Sequence, residues 1–144
     1  MHILEENYLR VIGLLDYYTN RINMLFENEK MTPETFASKY PVYSDLTMSL
    51  YHSAVVQARK LYEAELARDS LTSEEWLKLK VIRNEILHAN EPQSKELRVV
   101  ASINEDLIPI LNKLSNEIIE KHNLHNNESF VKYSKQLAAD LSKL

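Results

Sequence analysis

The sequence predicts an all-α protein, a bundle of four to five helices in up-and-down order. Three observations support this prediction. Apolar residues recur at three- and four-residue steps over long segments, which is the period of an α-helix. One glycine and four prolines are too few for a protein rich in β-turns. No segment shows convincing strand alternation, and 144 residues suit a single domain over residues 1–144.

The first two helices are indicated by periodicity and by capping residues. An apolar stripe predicts a helix from residue 3 to about residue 29. Gly13 lies inside it, where a glycine costs about 1 kcal/mol, and either a close helix contact or chance explains it. Thr32 and Pro33 then indicate the N-cap and first position of a short helix, which Pro41 interrupts.

Two further helices are predicted in the middle of the chain. Ser44 is expected to cap a helix over residues 45–68, whose apolar stripe is clear. Thr72 and Glu75, three residues apart, form a capping box. That box predicts a helix that ends near Ala89.

The C-terminal third allows two interpretations. A long apolar pattern runs from Ser94, and Pro109 either kinks this helix or lies near the first turn of a new one. Ser102 and Glu105 resemble another capping box, which would place a break there. A last helix is predicted from Asn127.

Composition excludes several classes of protein. The absence of cysteine excludes disulfide scaffolds, thiol nucleophiles and thiolate metal sites. A net charge of −4 excludes a broadly basic nucleic-acid-coating surface, although a small basic site is still allowed. With no apolar run of about 18 residues and no secretory pattern at its start, the chain is expected to be cytoplasmic, without a membrane partner.

A histidine pair raises the question of a metal site. His122 and His125 stand three residues apart, a spacing that could hold a metal ion. No further pair of ligands lies nearby, and the neighbouring asparagines are typical of a polar loop. The sequence therefore predicts no metal and no cofactor.

The helix that follows Thr72 is apolar around most of its circumference. With Trp76 at zero and 100° per residue, Arg83 falls near 340°, inside the apolar arc. His88 falls near 120°, between Leu77 and Val81. An arginine in an apolar arc is unfavourable unless it pairs with an acid or lies in a wet cleft.

Two explanations of Arg83 and His88 stay open. In the first explanation both residues are structural. Arg83 forms an ion pair with an acid on a neighbouring helix, and a protonated His88 is stabilised by the helix dipole at the last turn. Alternatively, a twofold axis beside this helix brings two copies of both residues into one composite cleft. In that case a partner subunit is expected to cover the arc around Trp76, Leu79 and Ile86.

The segment from Arg83 to His88, with Asn84 directly after the arginine, resembles the signature of the HEPN superfamily. That signature is an arginine followed four to six residues later by a histidine. The preceding helix, around 45–63, is similar to one in branches linked to abortive phage infection, and the looser resemblance covers roughly residues 3–122. One departure is Asn90, where toxins silenced by adenylylation carry a tyrosine, so that silencing is not predicted.

The resemblance implies a HEPN-like bundle that acts as a homodimer and cleaves RNA without metal. A toxin or phage-defence role is implied, with an antitoxin or regulatory protein as a possible further partner. His88 would act as general acid or base, Arg83 would bind the phosphate, and Asn84 would orient the imidazole or touch the phosphate. Lys80 would add positive potential or simply extend its charge into water.

Two alternatives to a ribonuclease remain. The acidic balance favours a catalytically inactive HEPN-like module that binds a partner protein or a nucleotide. An unrelated helical bundle is the third interpretation.

Overall fold

The structure, a computed structural model, describes residues 1–87 and 107–143, and within these ranges every regular element is helical. The all-α prediction is therefore confirmed for the described residues. They form six α-helices, one more than the largest number predicted, with single 3₁₀ turns before α4 and before α6. The helices are α1 (Ile3–Glu29), α2 (Pro33–Lys39), α3 (Pro41–Glu63), α4 (Ser73–Leu87), α5 (Ile108–Lys121) and α6 (Glu128–Ser142).

Three predicted helix starts are confirmed by their hydrogen bonds. The Thr32 side chain accepts the backbone N–H three residues later at 3.2 Å. Thr72 and Glu75 exchange two bonds, at 2.9 and 3.2 Å, and complete the predicted capping box. Asn127 caps α6 by accepting a backbone N–H at 3.0 Å. These bonds satisfy donors that have no partner within the helix.

Pro109 lies in the first turn of α5, so it starts a helix rather than kinking one. The predicted end of α4 near Ala89, and the predicted break at Ser102 and Glu105, lie outside the described residues.

The prediction for α3 was wrong at both ends. The helix begins at Pro41, because a proline in the first turn needs no hydrogen-bond partner for its nitrogen. Ser44 is therefore not a cap, and its N–H donates to the Tyr40 carbonyl at 3.1 Å. At the other end, α3 stops at Glu63, five residues before the predicted end.

A Schellman motif explains the early end of α3. Glu65 adopts a left-handed conformation, with φ of 60°. Its N–H donates to the Tyr62 carbonyl at 3.0 Å, and the Leu66 N–H donates to the Leu61 carbonyl at 2.8 Å. This pair of bonds closes a helix in the usual way, although glycine is the usual residue at the left-handed position.

One apolar core joins α1, α3, α4 and α5. The Tyr8 hydroxyl, fully buried, donates to the Leu111 carbonyl at 2.6 Å and ties α1 to α5. None of the described helices is long and apolar enough to cross a membrane. Further core residues are Ile12, Leu15, Tyr51, Val55, Leu61, Trp76, Leu79, Leu114 and Ile118.

The last helix, α6, packs against α1. The Tyr17 hydroxyl of α1 donates to the Leu141 carbonyl at 2.8 Å. A Cβ added at Gly13 would lie 3.4 Å from the Leu137 Cδ2 atom, which is an ordinary van der Waals contact. The structure therefore does not require a glycine at this position, and it favours neither explanation of Gly13.

The apolar arc of α4 is covered within the subunit. Trp76 and Leu79 are buried in the core, and Ile86 packs against it. The expectation that a partner must cover this arc was wrong, because α4 buries it against the other helices of its own chain. Among the described side chains of α4, the large apolar ones left in solvent are Leu77 and Val81, 58% and 49% exposed.

Candidate functional site

Arg83 forms an ion pair with Glu63, the last residue of α3. The Schellman turn places this carboxylate at the helix end, facing the C-terminal half of α4. The Arg83 side chain remains 19% exposed, and its Nε atom has no hydrogen-bond partner among the described residues. The arginine therefore has an acidic neighbour, as one sequence interpretation expected, but it is not sealed from solvent.

Asn84 lies beside Arg83 and is exposed. Its Oδ1 atom accepts a long hydrogen bond of 3.4 Å from the Arg83 Nη2 atom. His88 lies outside the described residues. The structure thus brings two of the three predicted catalytic residues together and does not describe the third.

Lys80 is exposed at the rim of a cleft of about 380 Å³ between the end of α3, the following loop and α4. We call this hollow the cationic cleft. It does not include Arg83, which lies next to it. Its lining comprises Arg59, Tyr62, Arg68, Leu71, Ser73, Trp76, Leu77 and Lys80.

Arg59 is the buried cation of the cleft, with 6% of its surface exposed. Its Nη1 atom donates to the Trp76 carbonyl at 3.2 Å, and its Cζ atom lies 4.3 Å from the Tyr62 ring centroid. Burial, together with the positive charge of Arg83, lowers the pKa of this guanidinium. The sequence assigns no role to Arg59.

Arg68 lies over the same aromatic ring. Its Cζ atom is 4.4 Å from the Tyr62 ring centroid, and its Nε atom donates to the Tyr62 carbonyl at 2.8 Å. The Trp76 Nε1 atom donates in turn to the Arg68 carbonyl at 2.8 Å. These contacts hold the loop after α3 against α4 and fix two guanidinium groups on one tyrosine ring.

The predicted histidine pair is separated by its contacts. His122 lies 2.9 Å from the buried Glu5 carboxylate, whereas His125 is exposed. The described part of the chain contains no cluster of three side chains that could hold a metal ion. A larger hollow of about 510 Å³, beside His122, contains none of the predicted site residues.

Glu5 has a lowered pKa although it is only 2% exposed. Burial alone would raise the pKa. The hydrogen bonds from His122 and from the His2 N–H, with the charges of His122 and Lys121, outweigh it. Because the folded-state pKa lies below the unfolded value near 4.5, Glu5 stabilises the fold fully above that pH. The stabilisation is lost as the pH falls toward and through the folded-state pKa.

We expect Glu5→Gln to lower the free energy of unfolding at pH 7 by about 1–3 kcal/mol, because a charged buried acceptor is lost. The difference from the wild type should shrink as the pH falls below about 4.5. Urea unfolding at a series of pH values measures it. Glu6→Gln removes the same charge one residue away, from a more exposed side chain, and serves as the control. A difference that is independent of pH, or equal for both variants, would contradict this prediction.

Comparisons with protein-family models, with curated protein sequences and with solved structures found no match to this chain. The function must therefore be inferred from the residues of the site and their chemistry.

Proposed function

We propose that the protein is a metal-independent endoribonuclease of the HEPN type, with Arg83, Asn84 and His88 as its site. The observation that carries this proposal is the gathering of positive charge at one place in an acidic chain. The net charge is −4, yet Arg59, Arg68 and Lys80 line one cleft and Arg83 adjoins it. RNA is recognised first by its phosphates, so such a cluster suits it.

The chemistry requires an acid–base group and a stabiliser of negative charge. A ribose 2′-oxygen attacks the adjacent phosphorus and the bond to the 5′-oxygen breaks, which leaves a 2′,3′-cyclic phosphate and a 5′-hydroxyl. His88 accepts the 2′-hydroxyl proton or donates one to the 5′-oxygen, since an imidazole titrates near neutral pH. Arg83 stabilises the charge on the phosphorane.

A homodimer is part of this proposal. Leu77 and Val81 are exposed apolar residues of α4. From the sequence, the helical wheel predicts that His88, seven residues after Val81, falls in the same sector. Two copies that pair through this sector would bring their His88 residues to a common axis. Arg83, which lies elsewhere on the helix, would then be shared between the copies.

The ion pair between Arg83 and Glu63 favours a second candidate. A guanidinium already neutralised by a carboxylate is typical of a structural contact. The second candidate function is therefore a catalytically inactive helical module that binds a partner protein or a nucleotide.

RNA cleavage in the presence of EDTA separates the two candidates. The wild type should produce 2′,3′-cyclic phosphate and 5′-hydroxyl ends, and His88→Ala should lower the rate about 10²- to 10⁴-fold. His125→Ala removes an exposed histidine and is the matched control. Expression of the wild type, but not of His88→Ala, should also slow growth. Equal cleavage by the wild type and His88→Ala would overturn the proposal.

A further inference from the structure

The cationic cleft carries an excess of positive charge. Among the described residues, the carboxylates that act on its cations are Glu63, which is itself paired with Arg83, and Glu65. Neither Arg59 nor Lys80 has a carboxylate within ion-pair distance in that part of the chain. The nearest acid to Arg68 is Glu65, at 3.9 Å. The Arg59 guanidinium is only 6% exposed, and Glu63 offsets its charge only from beyond ion-pair distance. This is unfavourable, because burial has removed the water around the charge. The charge of the cleft therefore favours an anion inside it.

The donors of the cleft suit a phosphate in particular. The Nε atom of Arg59 is buried and has no hydrogen-bond partner among the described residues. One guanidinium group can bind two phosphate oxygens at once. Here two guanidinium groups, those of Arg59 and Arg68, lie over the Tyr62 ring. Ser73, the first residue of α4, adds the positive end of a helix dipole to the same hollow.

The size and the remaining lining indicate more than a phosphate. About 380 Å³ lies within the usual range for small-molecule sites, roughly 300–1,000 Å³. Leu71 and Trp76 form an apolar wall, and Leu77, 58% exposed, stands at the rim. A ligand that fits therefore combines a phosphate with an apolar or planar part.

We propose that the cationic cleft is a nucleotide-binding site. The phosphate binds Arg59, Arg68 and Lys80, and the nucleoside lies against the apolar wall of Leu71 and Trp76. The proposal rests on the second candidate function, in which the module binds a nucleotide. None of the described lining residues belongs to the proposed catalytic set, so nucleotide binding and RNA cleavage can be measured separately.

Calorimetric titration with uridine 5′-monophosphate, inorganic phosphate and uridine tests the site. Saturable binding is expected for the nucleotide, weaker binding for inorganic phosphate, and none for uridine. Trp76 is the only tryptophan of the chain and lines the cleft, so its fluorescence should change when a ligand binds. Inorganic phosphate is the ligand for this measurement, because it does not absorb at the wavelengths that excite tryptophan.

Charge-removing variants locate the binding. Lys80→Ala should weaken nucleotide binding about tenfold, because a hydrogen bond to a charged group is lost. Lys78→Ala removes the same charge from an exposed position on α4 outside the cleft and should leave the affinity unchanged. Arg59→Met, which keeps the side-chain volume, should abolish measurable binding.

A comparison of a short RNA with the mononucleotide distinguishes the source of the nucleotide. Tighter binding of a uridine tetranucleotide than of the mononucleotide assigns the cleft to a strand of RNA, and the reverse order assigns it to a free nucleotide. Absence of saturable binding by the wild type would overturn the proposal. So would equal weakening by Lys80→Ala and Lys78→Ala, or equal affinity for inorganic phosphate and the nucleotide.

Discussion

Arg83→Ala is expected to lower the rate of RNA cleavage about 10²- to 10³-fold, the usual effect of removing one group that stabilises developing charge. The guanidinium is 19% exposed and lies beside the cationic cleft, where it can meet a phosphate. Cleavage of a fluorescent RNA in EDTA measures the effect. Urea unfolding of the same variant shows that the protein remains folded.

Glu63 provides the matched control for this variant. If the ion pair only joins α3 to α4, Arg83→Ala and Glu63→Gln should each change stability by about 0.2–1 kcal/mol and neither should alter cleavage. If Arg83 serves the reaction, Glu63→Gln should leave cleavage intact or raise it, because the guanidinium is then released from its carboxylate. Unchanged cleavage in both variants, or an equal loss in both, would contradict a direct role for Arg83.

The helices could be predicted from sequence wherever local interactions decide them. Thr72 and Glu75 form their capping box within four residues, so the pattern alone indicates it. The end of α3 could not be predicted, because Glu65 takes the left-handed position usually given to glycine. The apolar stripe continues past this point to Leu66, and periodicity therefore extended the helix too far.

The site was predicted only in part for the same reason. Arg83 and Asn84 are adjacent in the sequence and form a recognisable motif. Arg59 meets the Trp76 carbonyl 17 residues later in the chain, and Arg68 meets Tyr62 because the Schellman turn reverses the chain. Such contacts have no periodic pattern. The one available indication was a cation three residues before Tyr62, a spacing that places both on one helical face.

Leu79→Ala is expected to lower the free energy of unfolding by about 2–5 kcal/mol, the range for deleting a fully buried leucine. Leu79 is 0% exposed and lies in the core between helices of one subunit. The loss should appear in urea unfolding, and it should not depend on protein concentration. A strong dependence on concentration would instead show that a partner subunit contributes to the burial of this residue.

Val81→Asp tests the proposed interface on the same helix. Val81 is 49% exposed, so a change there should alter the stability of the folded subunit by no more than about 0.5 kcal/mol. A carboxylate in an apolar interface is strongly unfavourable, and sedimentation should therefore show the wild type as a dimer and the variant as a monomer. Lys78→Asp makes a charge change on an exposed part of α4 and should stay dimeric. If Val81→Asp remains dimeric, the axis lies elsewhere, and the sector of α4 that carries Leu77 and Val81 does not form a composite site.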